Sequence, residues 1–239
     1  MTISISQYLG THPLLTCYFI CHFLSDFQWQ SQHLADKKGT QLAALGKHIL
    51  IVALPLVALS LWQPQTWLIT LLIIISHGLI DFSKPRVMQW AKLSPRLAFT
   101  IDQGLHLAII IFLSSYLREI SSRPMIFQLY LLNLILFLVL ITKPTNIAFK
   151  IWFDKYQPLH YTREETIAGA GATIGNLERM MIGICLFLGQ YATIGLVFTA
   201  KSIARYNKIS ENPSFAEYYL IGSLFSMLGV FFAACVTLI

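Results

Sequence analysis

Histidine and aspartate four residues apart occur twice in the chain, each time in the phrase His-x-Leu-x-Asp-Phe: His22, Leu24, Asp26 and Phe27, then His77, Leu79, Asp81 and Phe82. On a helix, residues i and i+4 stand one above the other on the same face, so each phrase aims an imidazole and a carboxylate at one spot. That is half of a metal site. Each phrase closes an apolar stretch, and each is followed, across a polar loop, by another apolar stretch with a histidine near its start: His48 after the first, His106 after the second. Asp102 precedes His106 by four residues, a reversed pair without a counterpart in the first hairpin. Imidazole and carboxylate together favour a divalent transition metal, zinc foremost, over magnesium or calcium. His22, Asp26, His48, His77, Asp81 and His106 are the expected ligands of one or two ions, and Asp102 the expected general base beside a metal-bound water. The competing reading is a hydrogen-bonded polar seam between helices. Repetition of residue type, spacing and the following Phe weighs against it.

The elements that carry these residues are set by composition. The chain has 239 residues, 56% hydrophobic and 12% charged, with a mean hydropathy of +0.63. That is more apolar surface than one water-soluble core of this length can hide. The expected fold is all-α, a polytopic membrane helical bundle of about eight spans of roughly 17 to 25 residues. They are placed near Thr11 to Gln30, Gln41 to Trp62, Thr66 to Phe82, Leu97 to Leu117, Met125 to Ile141, Glu164 to Leu188, Ala192 to Tyr206 and Phe215 to Ile239. Ser83 to Arg96, basic and amphipathic, is expected to lie in the membrane interface. The first apolar run is read as a span and not as a cleaved signal, because it lacks a basic leader and carries the His-Asp phrase. Cys17, Cys21, Cys185 and Cys235 fall inside apolar runs without a C-x-x-C pair and are expected to stay free.

Lysine and arginine concentrate in alternate connections: Lys37, Lys38 and Lys47; Lys84, Arg86, Lys92 and Arg96; Lys143, Lys150, Lys155 and Arg163; Lys201, Arg205 and Lys208. Those connections are expected in the cytoplasm, with both termini outside. Spans one and three then end, and spans two and four begin, at the cytoplasmic side, so that all seven His and Asp residues fall at one depth. Residues 1–120 are expected to form a four-helix half built of two related metal-site hairpins, and 121–239 a second helical half.

The second half carries a different polar set. Gly171 to Gly175 is a G-x-x-x-G, the pattern that lets another helix approach closely. Glu178 and Arg179 follow at membrane depth, where ionisable groups need partners. With Lys201, Arg205 and Glu217 they are the expected substrate-binding set, a cationic pocket for a phosphate or carboxylate organised by the two glutamates. Glu178 is expected to pair with Lys201 or Arg205.

The phrase H-x-x-x-D-F-x-x-Q (His22, Asp26, Phe27, Gln30), the pairs His77/Asp81 and Asp102/His106, and the later phrases I-G-N-L-E-R (Ile174 to Arg179), A-K-S-I-A-R (Ala200 to Arg205) and E-Y-Y-L-I-G (Glu217 to Gly222) together resemble the bacterial inner-membrane family of the domain of unknown function 3307. The resemblance runs over essentially the whole chain. It implies a multi-pass protein of the bacterial inner (plasma) membrane and no particular activity. The first half also resembles membrane-bound metal-dependent hydrolases, which share paired H-x-x-x-D on their spans. From the site itself the expected function is a metal-dependent hydrolase acting on a lipid or lipid-linked head group at the cytoplasmic face. Lys37, Lys38, Lys84, Arg86, Lys92 and Arg96 would draw the anionic head group to the surface. Nothing in the sequence points to nucleic acid. The rival readings are a divalent-metal or proton-coupled transporter, since such carriers also use membrane-depth His and Asp, and a structural or signalling subunit with a structural metal site.

Overall fold

A computed structural model describes residues 4–116, 129–158, 167 and 169–239. The expected domain boundary at 120/121 and the expected starts of the fifth and sixth spans, Met125 and Glu164, lie outside these. Among the described residues the chain is helical throughout, without a strand. Five stretches of the described residues are long and apolar enough to cross a membrane: Leu42–Trp62, Pro64–Trp90, Pro95–Ser115, Tyr130–Trp152 and Pro213–Thr237. The chain divides into two compact units, Met1–Val139 and Leu140–Ile239.

In the first unit, α1 (Ile5–Thr11) starts on a capping box between Ser4 and Gln7, and α2 (Pro13–Phe23) starts on a proline, which suits the first turn because its missing N–H has no partner there. The chain then widens into one π turn, Leu24–Gln28, closed by Trp29 N–H to Leu24 O at 2.8 Å. A short α3 (Gln32–Lys37) precedes α4 (Leu42–Trp62), α5 (Trp67–Trp90), α6 (Pro95–Ser115) and α7 (Leu129–Leu140). Asn133 Nδ2 donates to Ser6 O at 3.2 Å and ties α7 to α1.

The apolar faces divide the labour among these helices. Most of α2 is buried, from Leu14 to His22, and it packs against α4 and α6. An all-round apolar helix belongs inside a bundle. The helices around it turn large side chains outward instead, among them Leu50 and Leu54 of α4, Leu68 and Leu79 of α5, and Phe112 of α6. Such a surface suits a bilayer and not water.

Helix α5 departs from expectation. It does not stop at Phe82 but runs through Pro85 to Trp90. The proline removes one backbone bond, and Arg86 Nη1 donates to Phe82 O at 3.0 Å beside the break. The segment expected to lie separately in the interface is therefore, as far as Trp90, the last two turns of α5. A turn with Lys92 at φ 48° and a Ser94 cap then lead into α6.

The second unit holds α8 (Lys143–Trp152), α9 (Ala170–Phe187), α10 (Tyr191–Ile203), α11 (Tyr206–Glu211) and α12 (Pro213–Thr237). Gly222 and Gly229, two turns apart on α12, let it lie close to α8: a Cβ there would come 3.2 Å from Phe149 and 3.3 Å from Thr145. The G-x-x-x-G of α9 works only in part as expected. A Cβ at Gly171 would meet nothing within 4 Å, whereas Gly175 faces the guanidinium of Arg179, 3.2 Å away, and Asn146. Gly175 makes room for a side chain one turn along its own helix. The four cysteines are free.

Candidate metal centre

Four helices and the π turn of the first unit bring the seven residues together. His22 ends α2, Asp26 sits in the π turn, His48 lies in the second turn of α4, His77 and Asp81 share a face of α5, and Asp102 and His106 share a face of α6. All seven are buried, between 0% and 6% exposed. The two sequence phrases differ locally. His77 and Asp81 keep ordinary helical spacing, with Nε2 and Oδ2 3.5 Å apart, whereas the π turn separates His22 Nδ1 from Asp26 Oδ2 by 3.9 Å. Widening by one residue re-aims Asp26 away from its own helix and toward α4 and α5.

Two imidazole nitrogens form the middle of the cluster. His48 Nε2 and His77 Nε2 are 3.1 Å apart. Asp26 Oδ1 lies 3.3 Å from the first and 3.1 Å from the second, and Asp81 Oδ2 lies 3.1 and 3.5 Å from them. Each oxygen thus completes a triangle on the same pair of nitrogens. Ligand atoms around a tetrahedral zinc with bonds of about 2.0 to 2.1 Å are about 3.3 to 3.4 Å apart, the size of these triangles. Ligand atoms of His22, Asp26 and His77, and those of His48, His77 and Asp81, each fall within 4.8 Å of one another.

Hydrogen bonds select which nitrogens keep a lone pair. His106 Nδ1 donates to Asp102 O at 2.7 Å, which leaves Nε2 as the acceptor, buried and without a partner. That ring lies 4.1 Å from His77 and 5.3 Å from His22, between centroids. His22 Nε2 donates to Gln103 Oε1 at 3.2 Å, leaving Nδ1 toward Asp26. Fixing one ring nitrogen so that the other can ligate is the usual arrangement around a bound metal. Asp26 Oδ1, Asp81 Oδ1 and Asp102 Oδ1 are also buried without a hydrogen bond. Asp26 Oδ1 is close to two imidazoles but aligned with neither.

Three residues missing from the expected site complete it. Lys38 Nζ donates to Asp81 Oδ2 at 2.9 Å and contacts His48 Nε2 at 3.2 Å. Lys84 Nζ donates to Asp102 Oδ2 at 2.9 Å. Gln103 Nε2 donates to Asp102 Oδ2 at 3.2 Å and Asp26 Oδ2 at 3.4 Å. Both lysines were expected on the surface as attractors of a head group. They turn inward instead, because the buried carboxylates need counter-charge. Burial by itself would lower the pKa of Lys38, but Asp26 and Asp81 outweigh it and hold the ammonium above its ordinary value. Asp102 belongs to neither triangle.

The polar residues of the second unit make a separate arrangement. The expected partner of Glu178 is Lys201, whose Nζ is 2.5 Å from Oε2 and also donates to Ser223 Oγ at 3.0 Å. Arg179 does not join them. Its guanidinium donates to the carbonyls of Ile141 and Thr142, to Asn146 Oδ1 at 2.6 Å, to Asn176 Oδ1 at 2.8 Å and to Ser226 Oγ at 3.3 Å. Ile141 and Thr142 lie where α7 ends and α8 begins, with Thr142 at φ −97°, ψ −118°. A break there frees carbonyls that the buried arginine takes up. Arg205 and Glu217, expected in the same pocket, have no side-chain bond to Glu178 or Lys201 among the described contacts, and Glu217 is exposed.

No curated protein and no solved structure matches the chain, so the resemblance to metal-dependent hydrolases has no counterpart there. A family model matches residues 14–147, a stretch that contains all seven residues of the centre together with Lys38, Lys84 and Gln103. By that match over more than half its length, the chain belongs to the family described as protein of unknown function (DUF3307).

Proposed function

We propose that the first unit binds a divalent transition metal, zinc foremost, and uses it to hydrolyse a lipid or lipid-linked head group from the cytoplasmic face of the bacterial inner membrane. The observation that carries the reading is the pair of nitrogen and oxygen triangles sharing His48 Nε2 and His77 Nε2, with sides of 3.1 to 3.5 Å. Asp26, His48, His77 and Asp81 would hold the ion, with His22 and His106 as further ligands of this ion or a second. When bound, such a metal lowers the pKa of a coordinated water toward neutrality. Asp102, held by Lys84 on one oxygen and unbonded on the other, is the carboxylate available to take a proton.

The test is metal content and head-group release measured on the same detergent-purified protein. His77→Ala should lose metal and turnover together, and Asp102→Asn should keep the metal and lose about 100-fold or more in rate, the usual weight of a general base. Wild-type protein without transition metal would end the reading.

A carrier of divalent metal ions or protons is the second reading, favoured by the complete burial of the centre. It requires metal flux into liposomes with no lipid turnover; metal without flux or turnover would leave a structural or signalling subunit. In either case we place α2 with its π turn, α9 and α10 as shorter crossings beside the five long ones, giving eight, with both termini outside. Thiol labelling of cysteines introduced at Gln65 and Lys92 should reach the first from outside and the second from inside; reversed labelling sinks this topology.

A further inference from the structure

We infer that Lys38 is a tethered cation standing in the metal position of the first unit, so that metal and lysine exclude one another. The inference rests on the metal reading above. An ammonium has three donors and no acceptor, so its 3.2 Å contact with His48 Nε2 makes that nitrogen the lone-pair bearer. Its other contact, Asp81 Oδ2 at 2.9 Å, is the oxygen of the same triangle. Lys38 therefore takes up two of the electron pairs that an ion bound to His48, His77 and Asp81 would need. A divalent ion bonded to those atoms would also stand against the ammonium with like charge, in a site where water screens little.

The placement of Lys38 fits an occupant that leaves. Every other residue of the centre is carried by α2, the π turn, α4, α5 or α6, whereas Lys38 lies beyond the end of the six-residue α3, in the polar segment leading to α4. Its neighbour Gly39 comes so close to α5 that a Cβ would be 3.1 Å from Pro85 Cγ. That close approach is what lets a residue outside the helices reach Asp81. Withdrawing this segment moves no spanning helix. Before metal arrives, Lys38 compensates a carboxylate that is 1% exposed, which a bundle without counter-charge would not tolerate. Once metal competes, the ion must offer enough bond energy to expel a paired lysine. That condition discriminates against magnesium, which dehydrates reluctantly and prefers an all-oxygen shell.

The experiment uses full-length protein in detergent, stripped with a chelator and titrated with zinc against a chromophoric competitor. Lys38→Met should bind zinc about tenfold more tightly than wild type, or about 1.4 kcal/mol, and Lys92→Met, altered in the turn before α6, should match wild type. If wild type binds zinc and Lys38→Met binds it equally or less well, Lys38 supports the site and the inference is wrong while the metal reading stands. Zinc binding by neither protein removes both. A second measurement needs no variant: acylation of lysines in wild-type protein, mapped by mass spectrometry. Saturating zinc should raise labelling of Lys38 several-fold and leave Lys92 unchanged, and unchanged labelling of Lys38 overturns the inference.

Discussion

The buried arginine of the second unit and the buried carboxylates of the first are handled in opposite ways. In the second, the guanidinium of Arg179 finds two carbonyls, two amide oxygens and a hydroxyl. In the first, Asp26, Asp81 and Asp102 each keep an unbonded oxygen, and His106 keeps an unbonded nitrogen. A buried polar atom without a partner costs about 1 to 3 kcal/mol. Unbonded atoms of this kind are a poor way to hold helices together and, where Asp26 Oδ1 meets His48 and His77, a good way to await an ion. The contrast separates a polar group that closes a fold from one that is held ready for something else. Glu178 of the second unit is arranged as Asp81 and Asp102 are, with one oxygen bound by a lysine and the other unbonded.

The comparison is most exposed at Arg179. Arg179→Ala strands the carbonyls at the α7–α8 break and should destabilise the protein by about 3 kcal/mol or more, seen as a lower detergent-melting temperature and a low folded yield. Zinc affinity of the folded remainder should equal that of wild type. A variant that melts normally would show that the carbonyls find other partners and would remove the distinction. Lys201→Met should come next, at about 1 to 2 kcal/mol, because its side chain is 21% exposed and water can reach the glutamate left behind. If it costs as much as Arg179→Ala, the pair is a structural lock like the arginine. The smallest effect is expected in the first unit. His106→Phe gives up one hydrogen bond to Asp102 O and removes an unbonded nitrogen, so metal-free stability should change by less than about 1 kcal/mol. A large loss in that variant would mean that His106 holds the bundle together.

How much of this was legible in the sequence depends on where the partner of each residue lies. The repeated His-x-Leu-x-Asp-Phe phrase named His22, Asp26, His77 and Asp81, and the depth of the apolar runs added His48, Asp102 and His106. Side chains that must match in level on neighbouring helices leave such a trace. Lys38 and Lys84 left none. A lysine in a connection between spans satisfies the charge rule of membrane topology wherever its ammonium points, so only packing distinguishes Lys38 from Lys37. The role of Arg179 was hidden for a different reason: several of its partners are backbone carbonyls, which carry no residue identity. The π turn was equally silent, since Leu24 to Gln28 contain neither proline nor glycine to mark a departure from the α-helix. The run of α5 through Pro85 went unread because a proline usually marks a boundary, and here it interrupts a helix that is held on both sides.

The enclosed position of α2 bears on how the unit is made. Synthesis delivers α2 before α4, α5 and α6, yet α2 packs against α4 and α6 and carries a histidine and, just beyond it, an aspartate that lipid will not accept. The nascent helix therefore has nowhere suitable to rest until residues near 115 have been translated. The three outer helices bear His and Asp residues of their own, but each also keeps a face of large apolar side chains for lipid and can enter the bilayer on that face, as membrane helices generally do before they associate. Helix α2 cannot, and its docking is the step that converts inserted segments into a unit.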